Sequence, residues 1–103
     1  MSGDDHAVPV LLQLAPGDNV LIAARRIEPG PRLASSGELI AVTELVELGH
    51  KVAARPIAAG ERVLRYGMPI GSAVTAISAG AWVHTHNLAS DYIVTFAHRG
   101  GER

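Results

Sequence analysis

The sequence predicts a small all-β domain, and three observations lead to this prediction. Apolar and polar residues alternate in short runs rich in β-branched side chains, as in strands with one buried face. Glycine, proline, asparagine and serine recur between these runs, where tight turns are expected. Finally, the 103 residues include 11 glycines and 6 prolines, which suits a single domain with many short connections.

The first half of the chain contains three candidate strands. Residues 19–25 form an apolar run after the turn signal Pro16-Gly17-Asp18. Residues 39–45 and 50–55 are the next runs, and each begins just after a glycine-containing turn signal, at 35–37 and 48–49. The segment 36–48, which carries Glu44 and Glu47, also allows a short helix, and this alternative stays open.

The second half contains four more candidate strands. Turn signals at 67–69 and 100–101 punctuate this half, and the last five residues are expected to be disordered. The candidate strands are 63–66, 70–77, 82–87 and 92–98.

A short pattern, Ile-x-x-Gly-x-x-[Leu/Val], occurs three times, at 27–33, 57–63 and 77–83. Each copy has the composition of an apolar strand end, a tight turn and a new strand start, with a glycine that can adopt positive φ. The copies are too short for a solenoid repeat, which needs periods of about 20 residues or more. We interpret them as similar turns at the corners of one small sheet system.

Composition excludes several classes of function. Nine basic and ten acidic residues give a formal net charge of −1, so no basic surface for nucleic acid or an anionic membrane is expected. The absence of cysteine excludes disulfides, zinc ribbons and thiol catalysis. The acidic N-terminus does not resemble a signal peptide, and no apolar run approaches the roughly 18 residues of a membrane span. A cytoplasmic protein is expected.

The segment His84-Thr85-His86-Asn87 is the strongest chemical signal in the chain. In an extended strand Trp82, His84 and His86 would share one face. Two imidazoles there could bind a metal ion, transfer protons or bind a carboxylate. The alternative is a pair of solvated histidines on a strand, and spacing alone favours that alternative.

Two weaker signals precede it. His50 and Lys51 follow a predicted turn and could hold an acidic substrate by charge-assisted hydrogen bonds, although a solvated strand start is the simpler interpretation. Asp18 and Asn19 could offer oxygens to a ligand, but turn chemistry explains them more simply. No phosphate-binding loop, His-Glu-x-x-His motif or nucleophile elbow is present in the sequence.

The order of the motifs adds more than any one of them. Residues 16–20, 49–53, 57–61, 66–71 and 84–88 (PGDNV, GHKVA, IAAGE, YGMPIG and HTHNL) together resemble the SAF domain of the altronate/galactarate dehydratase family. The resemblance runs from about residue 15 to 88, with a segment 1–14 before it and an extension 89–103 after it. It implies a β-clip fold.

The resemblance also implies a function. Members of this family remove water from sugar acids with a divalent metal, typically Fe2+, and a related branch eliminates sulfite from sulfolactate. The chain is then expected to be the small subunit of such a lyase, inactive without a large catalytic subunit. A non-catalytic module that binds carbohydrate or acid is the alternative, and a purely structural or regulatory module is a third.

Site residues follow from the same resemblance. We expect His84, His86 and His50 to be catalytic, with His84 and His86 also as metal ligands. Lys51, Asn87, Asn19 and Tyr66 are expected to bind the hydroxy-acid substrate, with Asp18 as a lesser candidate. The apolar run 92–96 could pair with a sheet edge of this or a second protomer, so a homo-oligomer is plausible.

Overall fold

The structure is a computed structural model that describes residues 8–90. Within this range the chain is all-β, as the alternation predicts, and none of it forms a helix long and apolar enough to cross a membrane. The nine strands are β1 Leu11–Leu12, β2 Val20–Ala23, β3 Gly30–Leu33, β4 Leu39–Val42, β5 Lys51–Ala53, β6 Arg62–Arg65, β7 Met68–Ala73, β8 Trp82–Val83 and β9 Leu88–Ala89.

The centre of the domain is a four-stranded antiparallel sheet with the strand order β1-β2-β5-β8. All four residues of β2 are buried. This burial explains why β2 is a continuous apolar run in the sequence rather than an alternating one. A hairpin of β3 and β4 and a three-stranded antiparallel sheet in the order β6-β7-β9 complete the fold.

Each face of the central sheet packs into its own hydrophobic core. Alternate residues of a strand point to opposite faces, so Leu21 belongs to the first core and Val20 to the second. In β5, Val52 and Ala53 divide in the same way. The first core includes residues of the β3–β4 hairpin and the second includes residues of β6 and β7. The two smaller sheets therefore lie on opposite faces of the central one.

All three glycines of the repeated pattern have positive φ. Gly60 and Gly80 lie in turns, as predicted, whereas Gly30 is the first residue of β3 and not part of a turn. The angles are 133° at Gly30, 85° at Gly60 and 84° at Gly80. The isoleucine of each copy makes an isolated bridge instead of ending a strand. Ile57 bridges to Ile77, so two copies of the pattern are partners of each other.

The predicted strands at 19–25, 39–45 and 50–55 contain β2, β4 and β5, and those at 63–66 and 70–77 overlap β6 and β7, which begin one and two residues earlier. The helical alternative at 36–48 is wrong, because β4 lies there and pairs with β3. Strands β1, β3 and β9 were not predicted. Predictions for residues 1–7 and for the strand at 92–98 lie outside the described residues.

The predicted strand at 82–87 is wrong beyond its first two residues. Only Trp82 and Val83 are extended, and the chain then turns before β9 begins at Leu88. The backbone N–H groups of Asn87 and Leu88 both donate to the carbonyl oxygen of His84, at 3.1 and 2.9 Å. This hydrogen-bonded turn replaces the predicted continuation of the strand.

Candidate functional site

The candidate site lies where β5 and β8 pair at one end of the central sheet. Lys51 pairs with Val83 in an antiparallel register. One step further along this register, His50 lies opposite His84. The carbonyl oxygen of His50 accepts a hydrogen bond from the backbone N–H of Ala23 at 2.9 Å, so His50 is also held from the β2 side. The sequence separates the two histidines by 34 positions, and the sheet brings them together.

Four rings pack against one another here. We call His50, Trp82, His84 and His86 the imidazole–indole cluster. The ring of Trp82 is stacked on that of His84 at a centroid distance of 4.8 Å, and the ring of His50 lies beside the indole with a centroid distance of 5.8 Å and planes 21° apart. His86 lies 5.2 Å from the indole in a tilted arrangement. The rings of His50 and His84 are themselves stacked, 5.4 Å apart. The predicted grouping of Trp82, His84 and His86 is therefore confirmed, although a turn and not a strand produces it.

Trp82 also bonds to one of the histidines. Its indole N–H donates to Nδ1 of His50 at 3.1 Å. Trp82 is half-buried and packs against the first core. The indole therefore contacts the core as well as the imidazole rings. The sequence analysis placed Trp82 on the same face as the histidines without naming it as a site residue. The signal that could have identified it was its position two residues before His84.

Asn87 shapes the turn that carries the cluster. Its side chain is buried, with an exposed fraction of 6%. Oδ1 accepts from the backbone N–H of His84 at 2.9 Å, and Nδ2 donates to the carbonyl oxygen of Trp82 at 2.9 Å. These two bonds close the turn and hold His84 beside the indole. A contact between Asn87 and substrate stays a prediction.

Lys51 is adjacent to His50 but faces the other way. It pairs with Val83, which belongs to the second core, whereas His50 packs on Trp82 beside the first core. Desolvation of the half-buried ammonium lowers the pKa of Lys51, and the positive charge of Arg65 lowers it further. The sheet therefore separates the two members of the predicted His-Lys pair.

The other predicted binding residues lie at a junction between β2 and the β6–β7 hairpin. Asn19 is 1% exposed; its Nδ2 donates to the carbonyl oxygen of Arg62 at 2.9 Å and its Oδ1 accepts from the N–H of Leu64 at 2.8 Å. Asp18 accepts from the backbone N–H of Tyr66 at 2.7 Å. Tyr66 has φ of 60° and a ring that is 72% exposed. The structure does not bring these residues into the imidazole–indole cluster, and their contact with substrate stays a prediction.

The described residues do not by themselves fit a metal ion. No group of three or more His, Cys, Asp or Glu side chains among residues 8–90 is arranged to hold one. A role for His84 and His86 as metal ligands stays a prediction.

Comparison with known proteins decides the family. The sequence profile described as "Altronate/galactarate dehydratase SAF domain" matches residues 9–91. The chain belongs to this SAF domain family. The match includes all strands of the structure and the whole imidazole–indole cluster. The all-β architecture is the one that the resemblance in the sequence implies.

Similar proteins include complete enzymes and a separate subunit. The altronate dehydratases of Bacillus subtilis and Escherichia coli are 43% and 39% identical to this chain over 70 residues, or 68% of the chain. That stretch is only 14% of each of those proteins. The (2R)-sulfolactate sulfo-lyase subunit alpha of Chromohalobacter salexigens is 40% identical over 47 residues, which are 46% of this chain and 50% of that subunit.

Proposed function

We propose that this SAF domain is the small subunit of a sugar-acid dehydratase of the altronate/galactarate type, and that its imidazole–indole cluster completes a site on a larger chain. The observation that carries the proposal is the packing of His50, His84 and His86 around one indole at the end of the central sheet. Imidazoles donate and accept protons near neutral pH, which suits the chemistry of dehydration.

Removal of water from a 2-hydroxy acid needs three contributions. A base takes the α-proton, hydrogen-bond donors stabilise the enolate-like charge, and an acid assists the departing hydroxyl. Three adjacent imidazoles can supply both donors and acceptors. Within residues 8–90, the hydrogen bonds and ring contacts of the cluster's side chains involve no carboxylate. The carboxylate of the substrate would then be the natural anion beside the cluster.

A larger chain is needed to enclose such a site. Strand β8 is the outer strand of the central sheet, and His86 is exposed. The stretch that matches this chain is 14% of each altronate dehydratase, so most of each of those enzymes lies outside it. We propose that the corresponding portion here is a separate large subunit that covers the cluster.

The family resemblance implies Fe2+, which would polarise a substrate oxygen when bound. Because the described residues do not fit a metal ion alone, we propose that most of its ligands come from the large subunit. The cluster would then work beside the metal and not around it.

The decisive experiment is isolation of the chain from its native host, followed by assays with altronate and galactarate, with and without ferrous ion. We expect a large dehydratase-like chain to co-purify and the complex to form the dehydrated keto acid, while the isolated chain is inactive. A chain that purifies alone and supports no elimination with any partner would contradict the proposal and favour the non-catalytic binding module.

A sulfolactate-type sulfo-lyase is the second candidate, because two of the relatives are themselves named subunits of such an enzyme. The subunit alpha of Paracoccus pantotrophus is 43% identical over 42 residues, which are 63% of its length. The same complex assayed with sulfolactate distinguishes the two candidates, since release of sulfite from this substrate would identify a sulfo-lyase.

Replacement of His84 and His86, the two histidines of the turn, tests the cluster directly. We expect His84→Ala with His86→Ala to lower kcat of the complex by roughly 100-fold or more, the range for loss of positioned acid–base groups. The control is Thr85→Ala, which lies between the two histidines in the same turn and is exposed like His86. Circular dichroism checks folding. Full activity in a folded double variant would contradict a catalytic role for the two histidines.

A further inference from the structure

The hydrogen bond between Trp82 and His50 determines which nitrogen of His50 carries its proton. The indole Nε1 is a donor only, and it donates to Nδ1 of His50 at 3.1 Å. That nitrogen must therefore present its lone pair. In the neutral imidazole the single proton then resides on Nε2. His50 consequently has a donor on its free nitrogen, and its lone pair is occupied by the indole.

This tautomer limits what His50 can do. A general base needs a free lone pair within reach of the proton that it removes. The only lone pair of neutral His50 is engaged by Trp82, whereas its Nε2–H remains able to donate. Such a donor suits an oxygen on which negative charge develops. The histidines at 84 and 86 have no hydrogen bond of this kind to the indole N–H, because that single proton is already used.

Neighbouring residues hold the indole of Trp82 in the position from which it donates to His50. Trp82 packs against the first core, and its carbonyl oxygen accepts from Nδ2 of Asn87 at 2.9 Å. His84 lies on the indole ring with planes only 11° apart. His50 is fixed from the other side by the bond of its carbonyl oxygen to the N–H of Ala23. Both partners of the Trp82–His50 bond are therefore positioned by the fold.

We propose that Trp82 is a positioning residue that fixes His50 as the Nε2–H tautomer, so that His50 donates a hydrogen bond to a substrate oxygen and proton abstraction falls to His84 or His86. The part concerning the substrate rests on the proposed function, whereas the tautomer is a property of this chain alone. His50, expected from the sequence to be catalytic in an unspecified way, thereby acquires a specific role.

The tautomer is measured on the isolated full chain labelled with 15N, at a pH well above the ordinary imidazole pKa of about 6.5. We expect the 15N shifts of His50 to show protonation at Nε2, and a scalar coupling across the hydrogen bond between Trp82 Nε1 and His50 Nδ1. Because this measurement uses the wild-type protein, it does not depend on the folding of any variant. Protonation at Nδ1 would overturn the proposal.

Two variants test the cause. Trp82→Phe keeps an aromatic ring but removes the N–H, so we expect His50 to become a mixture of both tautomers. His84→Phe keeps the stacked ring and leaves the indole N–H in place, so the Nε2–H tautomer should persist. An unchanged His50 tautomer in folded Trp82→Phe would show that the indole does not fix it.

The role is tested in the assembled enzyme by changes at His50. The amide of glutamine can donate a hydrogen bond but cannot act as a base. We expect His50→Gln to retain kcat within about tenfold, and His50→Ala to lose roughly 100-fold, the range for removal of one positioned donor. Equal losses in both variants would overturn the donor role. A wild-type complex without elimination activity would contradict the proposed function, while the NMR coupling would still decide the tautomer.

Discussion

At the scale of single residues, Asp18 connects parts of the chain that are distant in sequence. Its carboxylate is buried, with 5% exposed, and accepts three backbone hydrogen bonds. Oδ2 binds the N–H groups of Ala15 and Tyr66, at 3.1 and 2.7 Å, and Oδ1 binds that of Gly67 at 2.8 Å. These bonds hold Tyr66 and Gly67, both at positive φ, in the two-residue turn of the β6–β7 hairpin.

Asp18→Asn should therefore destabilise the domain. An amide replaces one acceptor oxygen with a donor, which faces a backbone N–H and leaves at least one buried group unpaired. We expect the free energy of unfolding to fall by about 1–3 kcal/mol, measured by urea denaturation. The control is Glu44→Gln, the same chemical change at an exposed position. Equal stability of the two variants would show that the three bonds contribute nothing measurable.

Lys51 makes stability depend on pH in the alkaline range. Desolvation, and to a smaller extent the charge of Arg65, lowers its pKa below the ordinary value of 10.5. The fold therefore disfavours the charged ammonium. This penalty is fully present below the lowered pKa and disappears as the pH rises toward 10.5, because the unfolded chain binds the extra proton there.

Lys51→Met removes that penalty. We expect the variant to be more stable than the wild type at pH 7 in urea denaturation, and the difference to shrink as the pH approaches 10.5. Since Lys51 is the only lysine in the sequence, NMR titration of its side chain can follow the pKa directly. Arg65→Met should raise that pKa part of the way back. A stability difference that is constant with pH would contradict this explanation.

The roles of polar residues are the part of the site least readable from the sequence. Asn19 and Asn87 were predicted to contact substrate, which stays a prediction, and in the structure each has its amide bonded to backbone groups of its own chain. A buried asparagine that satisfies backbone groups and one that binds a ligand have the same local sequence. Only the positions of Arg62 and Leu64, more than 40 residues from Asn19, distinguish the two.

At the scale of elements, the glycine corners differ in what surrounds them. Gly60 and Gly80 have nearly equal φ, 85° and 84°, and each donates its N–H to a strand carbonyl. A Cβ on Gly60 would meet nothing within 4 Å. A Cβ on Gly80 would overlap the backbone carbonyl of Ala41 in β4. The corner at Gly80 is therefore where the β3–β4 hairpin packs closely on the rest of the domain.

The pair Gly60→Ala and Gly80→Ala separates conformational strain from close packing. Both should lose roughly 1–2 kcal/mol because alanine is strained at positive φ. Gly80→Ala should lose about 1–3 kcal/mol more, because backbone must move to accept the methyl group. Thermal and urea unfolding measure both. Similar losses in the two variants would contradict the close approach of Ala41.

Secondary structure was predictable where alternation and burial agree. Strands β2 and β5 lie inside predicted runs because their side chains divide between two cores. Strand β4 does so because its residues alternate between exposed positions and the first core. The run at 82–87 alternates equally well, but it becomes a turn because Asn87 bonds back to Trp82 and His84. Strand β1 was missed because its two residues are extended through pairing with β2, a contact that local sequence does not encode.

At the scale of the whole molecule, the two faces of the central sheet separate two groups of polar side chains. The imidazole–indole cluster lies on the side of the first core, and Lys51 lies on the side of the second. A single small acid held by both would have to reach around the end of the sheet.

The family match covers most of this chain, whereas the matched stretch is a small part of the altronate dehydratases. This difference supports the proposal that another chain completes the site.

The proposed assembly with a large subunit should therefore cover Trp82, the only tryptophan in the sequence. The chain labelled with 5-fluorotryptophan gives one 19F resonance, whose relaxation by a soluble gadolinium chelate reports exposure to solvent. We expect this relaxation to fall at least about twofold when the large subunit binds, because the half-buried ring at the open sheet edge becomes enclosed. Serum albumin in place of the large subunit is the control. Unchanged relaxation in a stable complex would show that the cluster faces away from the interface.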